Sequence, residues 1–178
     1  MRWPSTRIEP LIAAAFAAVC ALGIASNAEA QRPVLEGAAS TGTGASFGRG
    51  DGATVVLMTP MYVDIDVIYF NDEHPKLEYV IGFEAELQGR VSAGIVPQLR
   101  FTTAQRPIMI YGLIGVPLVF APFVLFGIEA GAGLLWRINE TVGIFAEVTV
   151  DLFFLGNDIP DKSMLTKLDG NLGVRISF

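Results

Sequence analysis

The sequence predicts an all-β protein, an antiparallel up-and-down barrel that crosses a membrane with eight strands. Three observations carry this. Apolar and polar side chains alternate with a period of two through most of the chain, the signature of strands with one apolar face. Of the 178 residues 52% are hydrophobic and only 17% charged, against roughly 25% charged in ordinary soluble domains. A short export signal precedes the alternating region.

That signal occupies residues 1–30. Arg2 and Arg7 precede the apolar run "LIAAAFAAVCALGIA", and Ala28-Glu29-Ala30 forms an A-x-A site. A basic start, a short apolar run and a small-residue site read as a cleaved secretory signal peptide. The run is shorter than the ~20 residues of a spanning helix. Cys20, the only cysteine, lies inside it, so the remainder has no disulfide and no thiol chemistry. The net charge of -6 excludes a nucleic-acid footprint and a polybasic lipid-binding patch.

Residues 31–52 are rich in Gly, Ser, Thr and Ala and read as a linker or a weak first strand. "GTGASFG" lacks the spacing of a phosphate-binding loop, and no helical pattern follows it. From Ala53 to Phe178 the alternation is clear. In 77–88, Leu77, Tyr79, Ile81, Phe83, Ala85 and Leu87 oppose Glu78, Val80, Gly82, Glu84, Glu86 and Gln88. Around 61–69, Met61, Val63, Ile65, Val67 and Tyr69 oppose Tyr62, Asp64, Asp66 and Ile68. The same split recurs in 91–101, 124–136 and 142–153. The last segment sets Leu172, Val174, Ile176 and Phe178 against Asn171, Gly173, Arg175 and Ser177.

Seven segments are visible: 53–70, 76–88, 91–101, 107–120, 123–137, 142–154 and 168–178. Single-chain bacterial barrels have even strand counts, so an eighth is expected in 37–50 or by a split of 53–70 near Pro60. The 155–169 stretch reads as the longest loop. The uncharged run 108–128 has the hydropathy of a membrane helix, but Pro117, Pro122 and its glycines argue for strands. Pro60, Pro97 and Pro117 inside strands must mark bulges or strand ends.

Which face is wet follows from side-chain size. Glycines 82, 94, 127, 131, 133, 143 and 173 fall on the non-apolar face. They suit a crowded lumen, with the large apolar set turned to lipid. Tyr62, Tyr69, Tyr79, Phe101, Phe123, Trp136, Phe154 and Phe178 lie near segment ends, where aromatic girdles sit.

These features together resemble small bacterial outer-membrane β-barrel proteins of the eight-stranded class. The resemblance covers residues 53–178. It implies residence in the cell outer membrane after export, contact with outer-membrane lipids, and recognition by the barrel assembly machinery. In that family an aromatic end preceded by apolar residues at every second position is the assembly signal. Leu172, Val174, Ile176 and Phe178 match it.

The inward set carries Asp64, Asp66, Glu78, Glu84, Glu86, Glu129, Glu147 and Asp151, with Arg100 and Arg175 on the same face. Carboxylates and guanidinium groups in a narrow interior form charge-assisted pairs. The expected function is therefore a non-enzymatic barrel, serving envelope integrity or surface interaction, with its lumen plugged by this ionic network. The alternatives are a narrow cation-preferring channel and a lipid-modifying enzyme. His74, the only histidine, sits in a turn motif with no partner for nucleophilic catalysis. No catalytic residue, metal ligand set or cofactor is expected.

Overall fold

The computed structural model describes residues 33–50, 53–71, 76–88, 92–103, 107–122, 124–156 and 164–178. The signal peptide, His74 and Phe123 lie outside them. Nine strands follow in order: β1 (Pro33–Gly50), β2 (Ala53–Asn71), β3 (Leu77–Glu86), β4 (Ser92–Thr102), β5 (Ile108–Gly115), β6 (Leu118–Ala121), β7 (Leu125–Arg137), β8 (Val142–Gly156) and β9 (Leu165–Ser177). Both β5 and β6 lie between β4 and β7. They are one stave interrupted at Val116 and Pro117, so the sheet has eight staves. β1 pairs with β2 and, antiparallel, with β9, which closes the barrel and leaves no free edge.

The Gly-rich 37–50 region is thus the missing strand, and the barrel begins at Pro33 rather than Ala53. The weak signal has a physical cause. The outward residues Gly37, Ala39, Thr41, Thr43 and Ala45 are small, so alternation in size and polarity is faint. The pairing register holds this strand in place all the same, through 17 partnered residues on β2 and 13 on β9.

A walk along paired residues runs Glu36, Ile68, Val80, Gln98, Gly115, Glu129, Asp151, Lys167 and Ser46. It returns to β1 ten residues beyond its start. At ~3.3 Å per residue and ~4.8 Å between strands, that stagger tilts eight strands by about 40°. Such a barrel is narrow enough for side chains to fill.

The prolines sit where the ladder is interrupted. Gly42 faces Tyr62 but Gly44 faces Thr59, so β2 carries an extra residue at Pro60–Met61. This bulge inverts the alternation. Val56 and Met58 beyond it face outward while Thr59 is buried. The hydroxyls of Thr41 and Thr43 donate to the Tyr62 and Thr59 carbonyls at 3.0 and 3.1 Å, bracketing the bulge. Pro97 lies opposite the β5–β6 interruption, and its carbonyl accepts from Val116 N at 3.0 Å. A strand residue directs its N–H and C=O to the same neighbour, so the missing Pro97 N–H faces the gap. Pro117 is the gap itself, and its carbonyl accepts from Gly127 N at 3.2 Å.

The uncharged run 108–128 is accordingly β5, β6 and the start of β7, and no described helix is long and apolar enough to cross a membrane. The outward face carries the large exposed apolar residues, among them Ile65, Phe83, Ile110, Ile128, Val148 and Leu172. Tyr69, Tyr79, Phe101, Trp136 and Phe178 cluster toward the end that holds Pro33 and Ser177, called here the termini end. Tyr62 does not belong to the girdle: it is 1% exposed and lies in the lumen.

Candidate functional site: the lumen

Alternation places every second side chain inside. Four buried aromatic residues each stand opposite a cross-strand glycine: Tyr62 with Gly42, Tyr111 with Gly133, Phe145 with Gly173 and Phe153 with Gly127. A Cβ on Gly133 would lie 2.2 Å from the Tyr111 ring, and one on Gly173 2.5 Å from the Phe145 ring. The lumen glycines are the floor on which these rings rest.

Inward of the strand ends at the termini end, an apolar layer crosses the interior. Ala38, Ile68, Val80, Tyr111, Leu113, Leu135 and Phe145 form one buried cluster, with Phe70 and Met109 packed against it. Sequence alternation had marked the inward face as acidic or small, and this layer was missed. Its members come from six different staves, each contributing one or two apolar residues to an otherwise polar face.

Three ionic clusters cross the lumen. In the first, Arg175 donates two parallel bonds to Glu78 at 2.9 and 2.7 Å. Its Nε donates to Glu36, which also accepts from Arg137 at 2.6 and 2.7 Å and from the Ser177 hydroxyl. In the second, Arg100 reaches Asp66 at 2.8 Å and Glu147 at 3.4 Å. Tyr111 donates to Glu147 at 2.8 Å. The Arg100 guanidinium also stands 5.5 Å from the Tyr111 ring centre, within cation–π range. In the third, Lys167 donates to Glu84 and lies 3.0 Å from Asp169 and 3.7 Å from Glu86. It also sits 5.1 Å from the Tyr62 ring centre, and Thr59 donates to Glu86 at 3.3 Å.

All ten residues expected in the lumen network face inward. Asp66, Glu78, Glu84, Glu86, Arg100, Glu147 and Arg175 enter ion pairs. Asp64 accepts from Ser40 at 3.4 Å and Asn171 at 3.1 Å. Glu129 accepts from Gln98 at 3.2 and 3.4 Å. Asp151 has an oxygen, Oδ1, with no hydrogen-bond partner.

Four charged members escaped the sequence reading. Glu36 sat in the supposed linker, and Arg137 at a strand end. Lys167 and Asp169 sat in the stretch read as a loop. In fact β8 runs to Gly156 and β9 starts at Leu165, so Lys167 and Asp169 point inward. Their outward companions Thr166, Leu168 and Gly170 include one large apolar residue only, which is why the alternation did not register. The lumen therefore holds four cationic groups, Arg100, Arg137, Lys167 and Arg175, against ten carboxylates among the described residues.

Between the second and third clusters remains a cavity of about 30 Å³, bounded by Tyr62, Asp64, Gln98, Glu129, Asp151 and Asn171 among others. That is room for a water molecule or two, not for a solute path.

Fold and lumen together define a small, closed transmembrane β-barrel with a filled interior. Among solved structures the chain is similar to neisserial surface protein A (TM-score 0.59, 10% identity, 81% of this chain and 97% of that one). It is also similar to the N-terminal barrel domain of Pseudomonas aeruginosa OprF (TM-score 0.50, 14% identity, 78% of this chain and 97% of that one). The fold is that of small eight-stranded outer-membrane barrels. No protein-family model matches the sequence, and no curated protein does.

Proposed function

We propose that this protein is a non-enzymatic outer-membrane β-barrel with a plugged lumen, acting in envelope integrity or surface interaction. The observation that carries this is the double closure of the interior. An apolar layer and the Arg175 cluster fill the termini half, and the Arg100 and Lys167 clusters bridge non-adjacent staves beyond it and leave about 30 Å³ between them. Each bridging cation touches at least one carboxylate, so movement of any one exposes a buried charge.

Membrane residence is supported by the outward face, whose large exposed side chains, among them Ile65, Phe83, Ile110, Ile128, Val148 and Leu172, are apolar. Outer-membrane lipids are its proposed surroundings. Leu172, Val174 and Ile176 on β9, with Phe178 just beyond it, are its proposed signal to the barrel assembly machinery. All four project outward at the closing seam.

Planar-bilayer recording of the refolded protein tests the plug. The expected result is no steady conductance above the bare membrane at moderate voltage. Steady cation-selective openings would instead establish the channel reading, which the excess of lumen carboxylates favours.

A further inference from the structure

At the end opposite the termini, one stave rises past its neighbour. β2 pairs with β1 along its whole length, from Ala53 to Asn71, but its ladder with β3 begins only at Tyr62. One further bond, from Leu87 N to the Met61 carbonyl at 3.0 Å, extends that line. Ala53–Thr59 is therefore paired on its β1 side alone. Among the described residues, no backbone bond meets these seven on the other side. Only residues 87–91 join β3 to β4, too few to run along the edge and return. The neighbouring strands do not share this exposure. β1 is flanked on both sides as far as Gly48, β9 from Leu165 and β7 from Leu125.

The overhang stands outside the hydrocarbon. At ~3.3 Å per residue and ~40° of tilt, a strand advances about 2.5 Å along the barrel axis per residue. An apolar band of ~25 Å thus takes about ten residues. Counted from the girdle residue Tyr69, it ends near Thr59. An unpaired edge within the band would leave its N–H and C=O groups without water. Outside it, native proteins blunt an exposed edge with charged side chains or proline. Ala53–Thr59 reads "ATVVLMT" and has neither. Val56 and Met58 are 51% and 64% exposed. An uncharged, apolar and β-branched edge is a template for another strand.

We propose that the free edge of β2 at Ala53–Thr59 binds an extended segment of another protein by strand addition, antiparallel to β2 and continuing the line of β3. The open backbone donors and acceptors fix the class of partner. An extended polypeptide repeats N–H and C=O groups at the spacing of a ladder. Every second side chain of the added strand packs beside Val56 and Met58, so that face of the partner segment is apolar. A second copy in the same membrane presents the same edge running the same way, and a two-fold axis along the membrane normal does not bring two like edges into one ladder. The proposal gives the surface-interaction reading a site and rests on it for membrane residence. It does not depend on the plug.

Fluorescence anisotropy with the labelled peptide KTVTVTVTK on the full chain, folded in detergent and in lipid vesicles, tests this. The expected result is saturable binding of one peptide per chain in both. Binding should weaken at least tenfold in Val56→Lys and in Met58→Lys, each checked for folded, heat-modifiable gel mobility. It should stay unchanged in Ile138→Lys, an exposed apolar residue at the termini end. The same peptide N-methylated at every residue keeps its side chains but loses its N–H groups, and should not bind. Backbone amide exchange within 53–59 should slow at least tenfold in the bound state. No saturable binding, equal binding by the N-methylated peptide or by folded Val56→Lys, or unchanged exchange would overturn the proposal. Binding in detergent but not in vesicles would mean that lipid covers the edge, and self-association abolished by Val56→Lys would give the edge to a second copy; either overturns it. Conductance enters none of these readouts, so failure of the plug and failure of the docking edge are read separately.

Discussion

Arg175→Met removes the guanidinium that joins β9 to β1 and β3. Its two carboxylate partners are left in unequal states. Glu36 keeps two bonds from Arg137 and one from Ser177. Glu78, 1% exposed, loses both of its ionic hydrogen bonds. Stranding one buried charge costs about 3–5 kcal/mol, and that loss should fall almost wholly on Glu78. With a urea slope of ~2 kcal/mol per molar, the unfolding midpoint of the variant in lipid vesicles should drop by about 2 M. Replacing a whole buried pair by apolar groups is often near neutral. Arg175→Met/Glu78→Leu should therefore recover to within ~1 kcal/mol of the parent. Arg175→Met/Glu36→Gln should not recover, since Glu78 stays stranded. A single variant as stable as the parent, or equal recovery by both double variants, would refute this account of the cluster.

Glycine packing gives a paired test. A Cβ at Gly173 would meet the Phe145 ring at 2.5 Å and the Ala39 carbonyl at 2.6 Å, whereas Gly170 has nothing within 4 Å. Gly173→Ala should destabilise by about 1–3 kcal/mol in the same urea titration, and Gly170→Ala by less than ~0.5 kcal/mol. Ile65→Arg on the outward face should cost about 2–4 kcal/mol for folding into vesicles if it lies near the membrane midplane, while unfolding in a charged detergent shows a smaller difference. Phe178 is 86% exposed, and its ring lies over Gly37. Its deletion should lower assembly in cells severalfold yet change the stability of refolded protein by less than ~1 kcal/mol. Equal losses in both assays would remove the assembly role.

Much of the architecture was legible because a strand in a barrel wall has two chemically different faces. The set Leu77, Tyr79, Ile81, Phe83 and Ala85 reads as β3 without any knowledge of its neighbours, and β7, β8 and most of β2 read the same way. Legibility failed where one face lost its contrast. On β1 the outward residues are too small to register. At the start of β9, Thr166 and Gly170 flank a lone Leu168, so Lys167 and Asp169 passed for loop residues. Tyr62 was counted with the girdle because it sits among other aromatics near a segment end. Its phase with Asp64 and Asp66 and its pairing with Gly42 put it inside. The prolines were the reverse case: a missing N–H is a covalent fact, so their placement at a bulge and at a stave break was predictable.

Which carboxylate meets which cation was not. Arg175 and Glu78 are 97 positions apart, Arg137 and Glu36 101, and Lys167 and Glu84 83. Local alternation determined, by itself, that Arg175, Glu78 and Glu84 face the same interior, while Glu36, Arg137 and Lys167 escaped it. Their partners depend on the ten-residue stagger on closure and on the bulges that shift each stave. Those quantities are properties of the closed sheet and of no single segment. The same holds for Glu129 and Asp151. Their inward orientation is written in the period of two, but only the register of β7 against β8 puts them side by side, and only the filling of every other lumen position leaves them without a cation.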